Sequence, residues 1–478
     1  MRWAFLLVLF AAPLAMGAYR PPFYIPLLIS AYVLGIASWF RARLDRAYGA
    51  PAVPVPGTRL LLLLHGLALL QLVPLPPFLL ALVSPGSHAF YGRPSGLWPA
   101  SWRPISVWPW WSFQAIVWMG AVSLCYATAF RDFRERRWRR RLAVTVVVTG
   151  VTLAVAGLVQ AAAPDPQKIY GIWKPDESWA VFGPYENRTH FANYLILAIP
   201  VAAGLGLEAM QATARAWRRR GRRRWISLLE GEGPAAIRWT VAAAVIVVAL
   251  LASQSRGGLV SFAISIAVLI VLMRRGGAVL VMLLALLPLA FWMFQEGRIN
   301  HGEPLWSAND TRLPVRPLIW RDSLRMLPDF PLLGVGLGAF PAAYRRYQTV
   351  ILHYVIPAAH NEYLQAVLEL GLAGAVLMGL LIVKFLHRGL AAARWDTLAA
   401  GAFAGVIAGA VHNFVDFNLH IPANAVTFAV LAGLAVQPPR LPRDVSAATP
   451  SPEPRETDAV SVEGVSLHPP KAARGIAS

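Results

Sequence analysis

The sequence has little charge for its length. Only 14% of its 478 residues are Asp, Glu, Lys or Arg, whereas 57% are hydrophobic. Soluble domains carry about 25% charged residues, which cover the surface that faces water. So few charges exclude a soluble enzyme, and the recurrence of long apolar runs excludes a protein with a single membrane anchor. Because the runs are continuous rather than alternating, they favour membrane helices over a transmembrane β-barrel.

Cysteine and closely paired acidic residues are also scarce. The single cysteine, Cys125, excludes an internal disulfide and a cysteine-based metal cluster. The pattern Asp-x-Asp does not occur, although a metal-dependent nucleotide-sugar transferase is expected to hold its ion with such carboxylates. We therefore expect neither a bound metal nor a cofactor.

The apolar runs predict an all-α polytopic membrane protein with about twelve transmembrane helices. A helix crosses the bilayer with about 17–25 apolar residues. Residues 1–437 form the predicted transmembrane domain, and residues 438–478, rich in Pro, Ser, Ala and Glu, predict a disordered cytoplasmic tail. The first run has features of a cleavable signal peptide, but the second follows at once, so both are interpreted as spans. The predicted spans are residues 3–19, 22–40, 58–83, 111–130, 142–163, 190–209, 239–255, 257–273, 277–295, 361–386, 397–414 and 422–437.

The excess of positive charge orients these spans. A cytoplasmic N-terminus places 30 of the 44 Lys and Arg residues inside and 14 outside, as the positive-inside rule requires. Both chain ends are then cytoplasmic, and a long periplasmic loop, residues 296–360, precedes the tenth span. The net charge of +20 is explained by topology and contact with anionic membrane lipids, so we expect no nucleic-acid partner.

Four arginines make the outer face a candidate anion-binding surface. Arg188 stands at a span entrance, and Arg256 is the only charged residue inside a 35-residue apolar stretch. Arg316 and Arg321 lie in the long outer loop, near or within a predicted short amphipathic helix. Arg188 either anchors its helix at the headgroups or binds an anion. Arg256 is predicted at or slightly below the outer membrane surface, where a charged side chain needs a partner. That partner is either Glu369 or an anionic substrate.

Histidines and acidic residues supply the other candidates. His360 opens the predicted tenth span, where it is either an interfacial residue or a general base. Glu369 lies about 13 Å further along that helix at 1.5 Å per residue, a depth at which an ionisable group is functional or paired. His412, Asp416 and His420 are spaced by four and, if helical, share one face. The break before the following proline favours a polar hinge over a metal site.

Several of these stretches together resemble the family of bacterial O-antigen ligases and O-antigen polymerases. Their common order and predicted outer placement make the resemblance specific over residues 187–424, whereas the first 180 residues resemble the family only in hydropathy. The resembling pieces are Asn187-Arg188-Thr-His190-Phe, Ser255-Arg256-Gly257-Gly258, Arg316-x-x-x-Trp320, Pro331-Leu-Leu-Gly334-Val-Gly336-Leu-Gly338-Ala-Phe340, His360-Asn361-x-x-Leu364-x-x-x-x-Glu369-x-Gly371 and His412-Asn-Phe-Val-Asp416-Phe-Asn-Leu-His420-Ile-Pro-Ala-Asn424.

The resemblance implies a GT-C-like glycosyltransferase of the bacterial inner membrane with its active site facing the periplasm. It implies transfer of a glycan from undecaprenyl pyrophosphate to an acceptor hydroxyl, with inversion and without a metal. By position, it assigns the base to His360, pyrophosphate binding to Arg188, Arg256, Arg316 and Arg321, and supporting roles to Asn361, Glu369, His412 and Asp416.

Two questions stay open at this point. The acceptor is either a lipid A core sugar, as in a ligase, or the end of another lipid-linked glycan, as in a polymerase. The rival class is a membrane transporter of a small anion such as inorganic carbon. A two-halved carrier should show internal repeats and a long central cytoplasmic loop, and because neither halves nor repeats are visible, the sequence favours the enzyme.

Overall fold

The structure is a computed structural model that describes residues 1–92, 101–175, 180–219, 231–273, 315–349 and 355–438. Within these ranges the chain is helical, with isolated β-bridges but no extended strand. Six of the described helices are long and apolar enough to cross a membrane, and five shorter helices are also apolar. The protein is therefore a helical, multi-pass membrane protein. The predicted span 277–295 and the tail beyond residue 438 lie outside the described residues, and the twelve-span topology stays a prediction.

The helices follow most of the predicted spans. In chain order the described helices are α1 (Arg2–Leu14), α2 (Pro21–Ala47), α3 (Thr58–Leu70), α4 (Pro77–Val83), α5 (Pro85–Tyr91), α6 (Pro109–Asp132), α7 (Arg136–Ala161), α8 (Arg188–Arg219), α9 (Gly233–Ala252), α10 (Arg256–Leu272), α11 (Val315–Leu324), α12 (Phe340–Tyr344), α13 (Glu362–Ala393), α14 (Thr397–His412) and α15 (Pro422–Ala435). The six long candidates for membrane spans are α2, α6, α7, α8, α9 and α13, and short 3-10 turns occur at Met16–Ala18 and Asn418–His420.

Helices α8, α14 and α15 form the centre of the helix bundle. α14 consists largely of alanine and glycine, so its backbone approaches α8 closely. A Cβ atom added at Gly401 would lie 2.4 Å from the Pro200 carbonyl oxygen, and one at Gly405 would lie 2.7 Å from the Leu197 carbonyl oxygen. This contact fixes α14, and therefore the turn that follows it, against the start of α8.

The predicted span 58–83 is wrong as a single helix. The chain forms α3 and α4 instead, because the segment between them contains Pro74 and Pro76, which lack the N–H that a continuous helix needs. Leu75 in this segment pairs with Arg103 through two backbone hydrogen bonds of 2.8 and 3.0 Å. The break leaves Gln71 buried at the end of α3.

Helix α13 is interrupted at Gly371, which has φ 66° and ψ −168°. The backbone groups that this kink frees are satisfied by an adjacent segment rather than by water. Leu372 N donates to the Pro331 carbonyl at 2.9 Å, and Gly336 N donates to the Glu369 carbonyl at 3.1 Å. The glycine run Gly334-Val-Gly336-Leu-Gly338 is thus a close-packed turn against α13.

Candidate functional site

Asp416 lies at the centre of a histidine cluster. It occupies the turn between α14 and α15 and is 1% exposed. Its Oδ1 lies 3.8 Å from His360 Nδ1 and its Oδ2 lies 4.0 Å from His190 Nδ1. The Phe417 ring makes edge contacts with both imidazoles, with centroids 4.8 Å apart in each case. The structure thus brings together the starts of α8 and α13 and the α14–α15 turn.

The cluster keeps Asp416 ionised. Burial alone would raise the pKa of this carboxyl group, but the neighbouring His190, His360 and Arg316 hold its pKa well below the usual range. Its Oδ1 also accepts a hydrogen bond of 2.9 Å from the Phe417 backbone N–H. A fixed negative charge therefore stands beside the imidazole of His360.

His412, the last residue of α14, connects this cluster to α10. It is buried, and its Nδ1 lies 3.2 Å from Asn193 Nδ2 of α8, which donates to it. A Cβ atom at Gly257 would lie 2.8 Å from the His412 ring, so the start of α10 rests on the imidazole. His412 therefore sets the position of Arg256, the residue that begins α10.

His412, Asp416 and His420 do not share a helical face. Helix α14 ends at His412, and a turn and a short 3-10 segment carry the other two residues. His420 points to Glu362 instead, with 3.3 Å between its Nδ1 and the carboxylate. The segment is a polar turn, in agreement with the hinge interpretation. No group of three histidine, cysteine or acidic side chains suited to a metal ion occurs in the ranges that the structure describes.

Three of the four predicted arginines lie around the same cluster. Arg188 begins α8, Arg256 begins α10, and Arg316 is the second residue of α11. Coulombic repulsion couples Arg188 to Arg256 and Arg256 to Arg316, and the charge of Arg316 also acts on Asp416. Among the described residues, no carboxylate lies within the 4 Å ion-pair distance of Arg188 or Arg316. This group of positive charge is suited to an anion.

Arg321 has a different environment. Its Nε and Nη2 atoms lie 3.2 Å from Asp322 Oδ1, and it also bonds to the Thr349 hydroxyl. Burial would raise the pKa of Asp322, but hydrogen bonds from Thr349 and Arg321 lower it. The structure brings Arg321 to this buried carboxylate, and none of its contacts with described residues joins it to the other three arginines.

Glu369 does not pair with Arg256. Its carboxylate accepts hydrogen bonds from Gly338 N at 2.8 Å, from Phe340 N at 3.4 Å and from Gln365 Nε2 at 3.0 Å. The kink in α13 turns this segment towards the glycine turn. Of the two alternatives for Arg256, the pairing with Glu369 is therefore wrong.

Asn361 serves as the N-cap of α13. Its Oδ1 accepts hydrogen bonds from the backbone N–H groups of Tyr363 at 3.1 Å and Leu364 at 3.0 Å. Asparagine is a favoured N-cap because its side chain satisfies amides that the helix leaves unpaired. Asn361 thus fixes the start of the helix directly after His360.

His190 and Gln71 are not among the site residues predicted from the sequence. His190 appears there only within the resembling stretch Asn187-Arg188-Thr-His190-Phe, two residues after Arg188. Gln71 is fully buried, and its amide donates to the Leu333 carbonyl at 2.6 Å and to the Glu369 carbonyl at 2.7 Å. The feature of the sequence that could have pointed to Gln71 is its polar side chain within a predicted membrane span.

Comparison with known proteins adds one match. Residues 241–379 match the sequence model of a family described as O-antigen ligase. The matched range contains Arg256, Arg316, His360 and Glu369, whereas Arg188 precedes it and Asp416 follows it. No curated protein sequence matches the chain.

Proposed function

Because the chain belongs to the O-antigen ligase family through residues 241–379, we propose that it transfers a glycan from undecaprenyl pyrophosphate to a sugar hydroxyl at the periplasmic face of the bacterial inner membrane. The acceptor is a lipid A core sugar in a ligase or a lipid-linked glycan in a polymerase. The family match supports glycan transfer in general. The observation that carries the specific proposal is the pairing of His360 with Asp416 beside three clustered arginines.

In this proposal His360 is the general base. The ionised Asp416 faces Nδ1 at 3.8 Å, and a small contraction on substrate binding forms the hydrogen bond. That bond would place a proton on Nδ1 and leave Nε2 free to accept the proton of the acceptor hydroxyl. Asp416 also stabilises the imidazolium that forms.

The arginines bind the pyrophosphate. Arginine presents paired donors that match phosphate oxygens, and bringing together Arg188, Arg256 and Arg316 costs repulsion that a bound anion relieves. The acceptor oxygen attacks the anomeric carbon, the bond to the pyrophosphate oxygen breaks, and His360 takes the proton. Because the neutralised pyrophosphate is a good leaving group, this single inverting displacement needs neither a general acid nor a metal.

The transporter alternative has no observation in its favour. The matched family is described as O-antigen ligase, and the His360–Asp416 pair beside the grouped arginines supports transfer rather than transport. We therefore retain the transferase as the proposal.

Purified protein in detergent separates the two functions, because detergent leaves no second compartment for transport. We expect undecaprenyl pyrophosphate release that requires the acceptor and that is lost in Arg256→Ala and His360→Ala. Arg238→Ala is the matched control, since Arg238 is an exposed arginine near the opposite end of the α9–α10 pair. Normal turnover of both Arg256→Ala and His360→Ala would refute the proposed site.

A further inference from the structure

The backbone at His360 adopts a conformation that non-glycine residues rarely take. Its φ is 52°, in the left-handed region. Such a conformation is strained for a residue that has a Cβ atom, and it persists only where surrounding contacts determine it. Directly after it, Asn361 caps α13, and Glu362 N donates to the Asn413 carbonyl at 2.9 Å. These contacts hold the backbone that follows His360. The contacts of the residue before it, Ala359, therefore decide whether the backbone is held on both sides of His360.

Two side chains hold that preceding residue, Ala359, from opposite sides. Trp320 Nε1 donates to the Ala359 carbonyl at 2.9 Å, and Ala359 N donates to Gln365 Oε1 at 2.9 Å. The Ala359 carbonyl belongs to the same peptide plane as His360 N, so the tryptophan bond fixes the plane from which the φ of His360 is measured. Ala359 is fully buried, and water therefore cannot replace either partner.

Gln365 is itself held firmly. It is buried, its Nε2 donates to Glu369 Oε1 at 3.0 Å, and the same nitrogen lies 3.1 Å from His420 Nε2. Glu369 is in turn bonded to the backbone of the glycine turn at Gly338. A continuous set of hydrogen bonds thus runs from the glycine turn through Glu369 and Gln365 to the residue before His360.

We infer that Gln365 and Trp320 are positioning residues that clamp Ala359 and thereby hold the His360 imidazole beside Asp416. This inference rests on the proposed function, in which His360 is the base. Neither residue touches the reacting atoms. Trp320 also lies one helical turn after Arg316 on α11, so the same short helix carries a proposed pyrophosphate ligand and fixes the backbone of the base.

The test compares Gln365→Met and Trp320→Phe, which remove the hydrogen bonds and keep apolar bulk. We expect kcat to fall about 10- to 100-fold in each, because misplacing a catalytic group by about 1 Å has effects of this size. KM for the donor should change little, since the arginines remain. The double variant should lose little more than the worse single variant, because both bonds hold one residue.

Gln437→Met is the matched control. Gln437 is a buried glutamine whose amide donates to the Ala129 and Phe130 carbonyls at 3.0 and 3.3 Å, just beyond the end of α15 remote from Asp416. It should lower the melting temperature and leave kcat unchanged. If Gln365→Met does not accumulate, Trp320→Phe carries the same test.

Two results would overturn the inference. One is a normal kcat in Gln365→Met or Trp320→Phe, and the other is losses that multiply in the double variant. His360→Ala, assayed in parallel, distinguishes failure of the proposed function from failure of the clamp alone. If His360→Ala transfers glycan normally, the proposed function fails; if it is inactive while both clamp variants are normal, only the clamp fails.

Discussion

Asp416→Asn tests the pairing on which the site depends. The substitution keeps the size of the side chain and removes its charge, which lies 3.8 Å from His360 Nδ1. At an effective dielectric constant of about 20, two unit charges about 4 Å apart interact by about 4 kcal/mol. Loss of this stabilisation of the imidazolium corresponds to roughly a 10³-fold fall in rate at about 1.4 kcal/mol per decade. We therefore expect kcat to fall about 10²- to 10³-fold, with KM for the donor little changed.

The assay is release of undecaprenyl pyrophosphate by purified protein, with kcat and KM for the donor measured at one pH. Asp396→Asn is the control, since Asp396 caps the other end of α14 and pairs with Arg139 at 2.6 Å, remote from the cluster. A wild-type kcat for Asp416→Asn would show that the charge beside His360 does not contribute to the rate.

Four further predictions follow from the arginines, the helix packing, the topology and the proposed chemistry. Arg188→Lys keeps the charge but loses the paired donors, so it should raise KM for the donor lipid in the same assay. Gly401→Ala should lower the free energy of unfolding by about 1–3 kcal/mol, measured as a fall in melting temperature, because the added Cβ meets the α8 backbone. Gly379→Ala is the control and should not lower it, because its Cβ meets nothing within 4 Å. A cysteine at Ser307 in a Cys125→Ser background should react with an impermeant thiol reagent in intact spheroplasts, and labelling only after lysis would contradict the periplasmic loop. Adding a chelator should leave the wild-type rate unchanged, and a loss restored by a divalent cation would contradict metal-free transfer.

The helices could be predicted because continuous apolar runs carry their own signal. Residues 190–209 and 239–273 gave the cores of α8, α9 and α10, with Arg256 correctly marking a helix start. The prediction of a single helix over residues 58–83 was wrong, because Pro74 and Pro76 interrupt the helix and an average of hydropathy does not register them. The kink at Gly371 was also missed, because it depends on hydrogen bonds from a segment far away in the sequence.

The site could be predicted in part. The resemblance selected His360, Asp416 and three arginines, and the structure brings them together. It did not predict the contact between His360 and Asp416, which are separated by more than fifty residues of sequence. Gln365 is a polar residue four positions before Glu369 in the same predicted span, but its contacts with the Ala359 backbone and with His420 depend on the tertiary fold, so the sequence did not reveal its role. The roles of all these residues stay predictions.

The burial of Gln71 has a consequence for how the protein is made. Its amide is separated from its partners at Leu333 and Glu369 by 262 and 298 residues of chain. During synthesis this polar group therefore leaves the ribosome long before anything exists to satisfy it. Of the described helices, α14 and α15, which complete the centre of the bundle, come last in the chain. We therefore expect a chain that ends before α14 to lack the centre of the bundle and to be degraded by quality-control proteases.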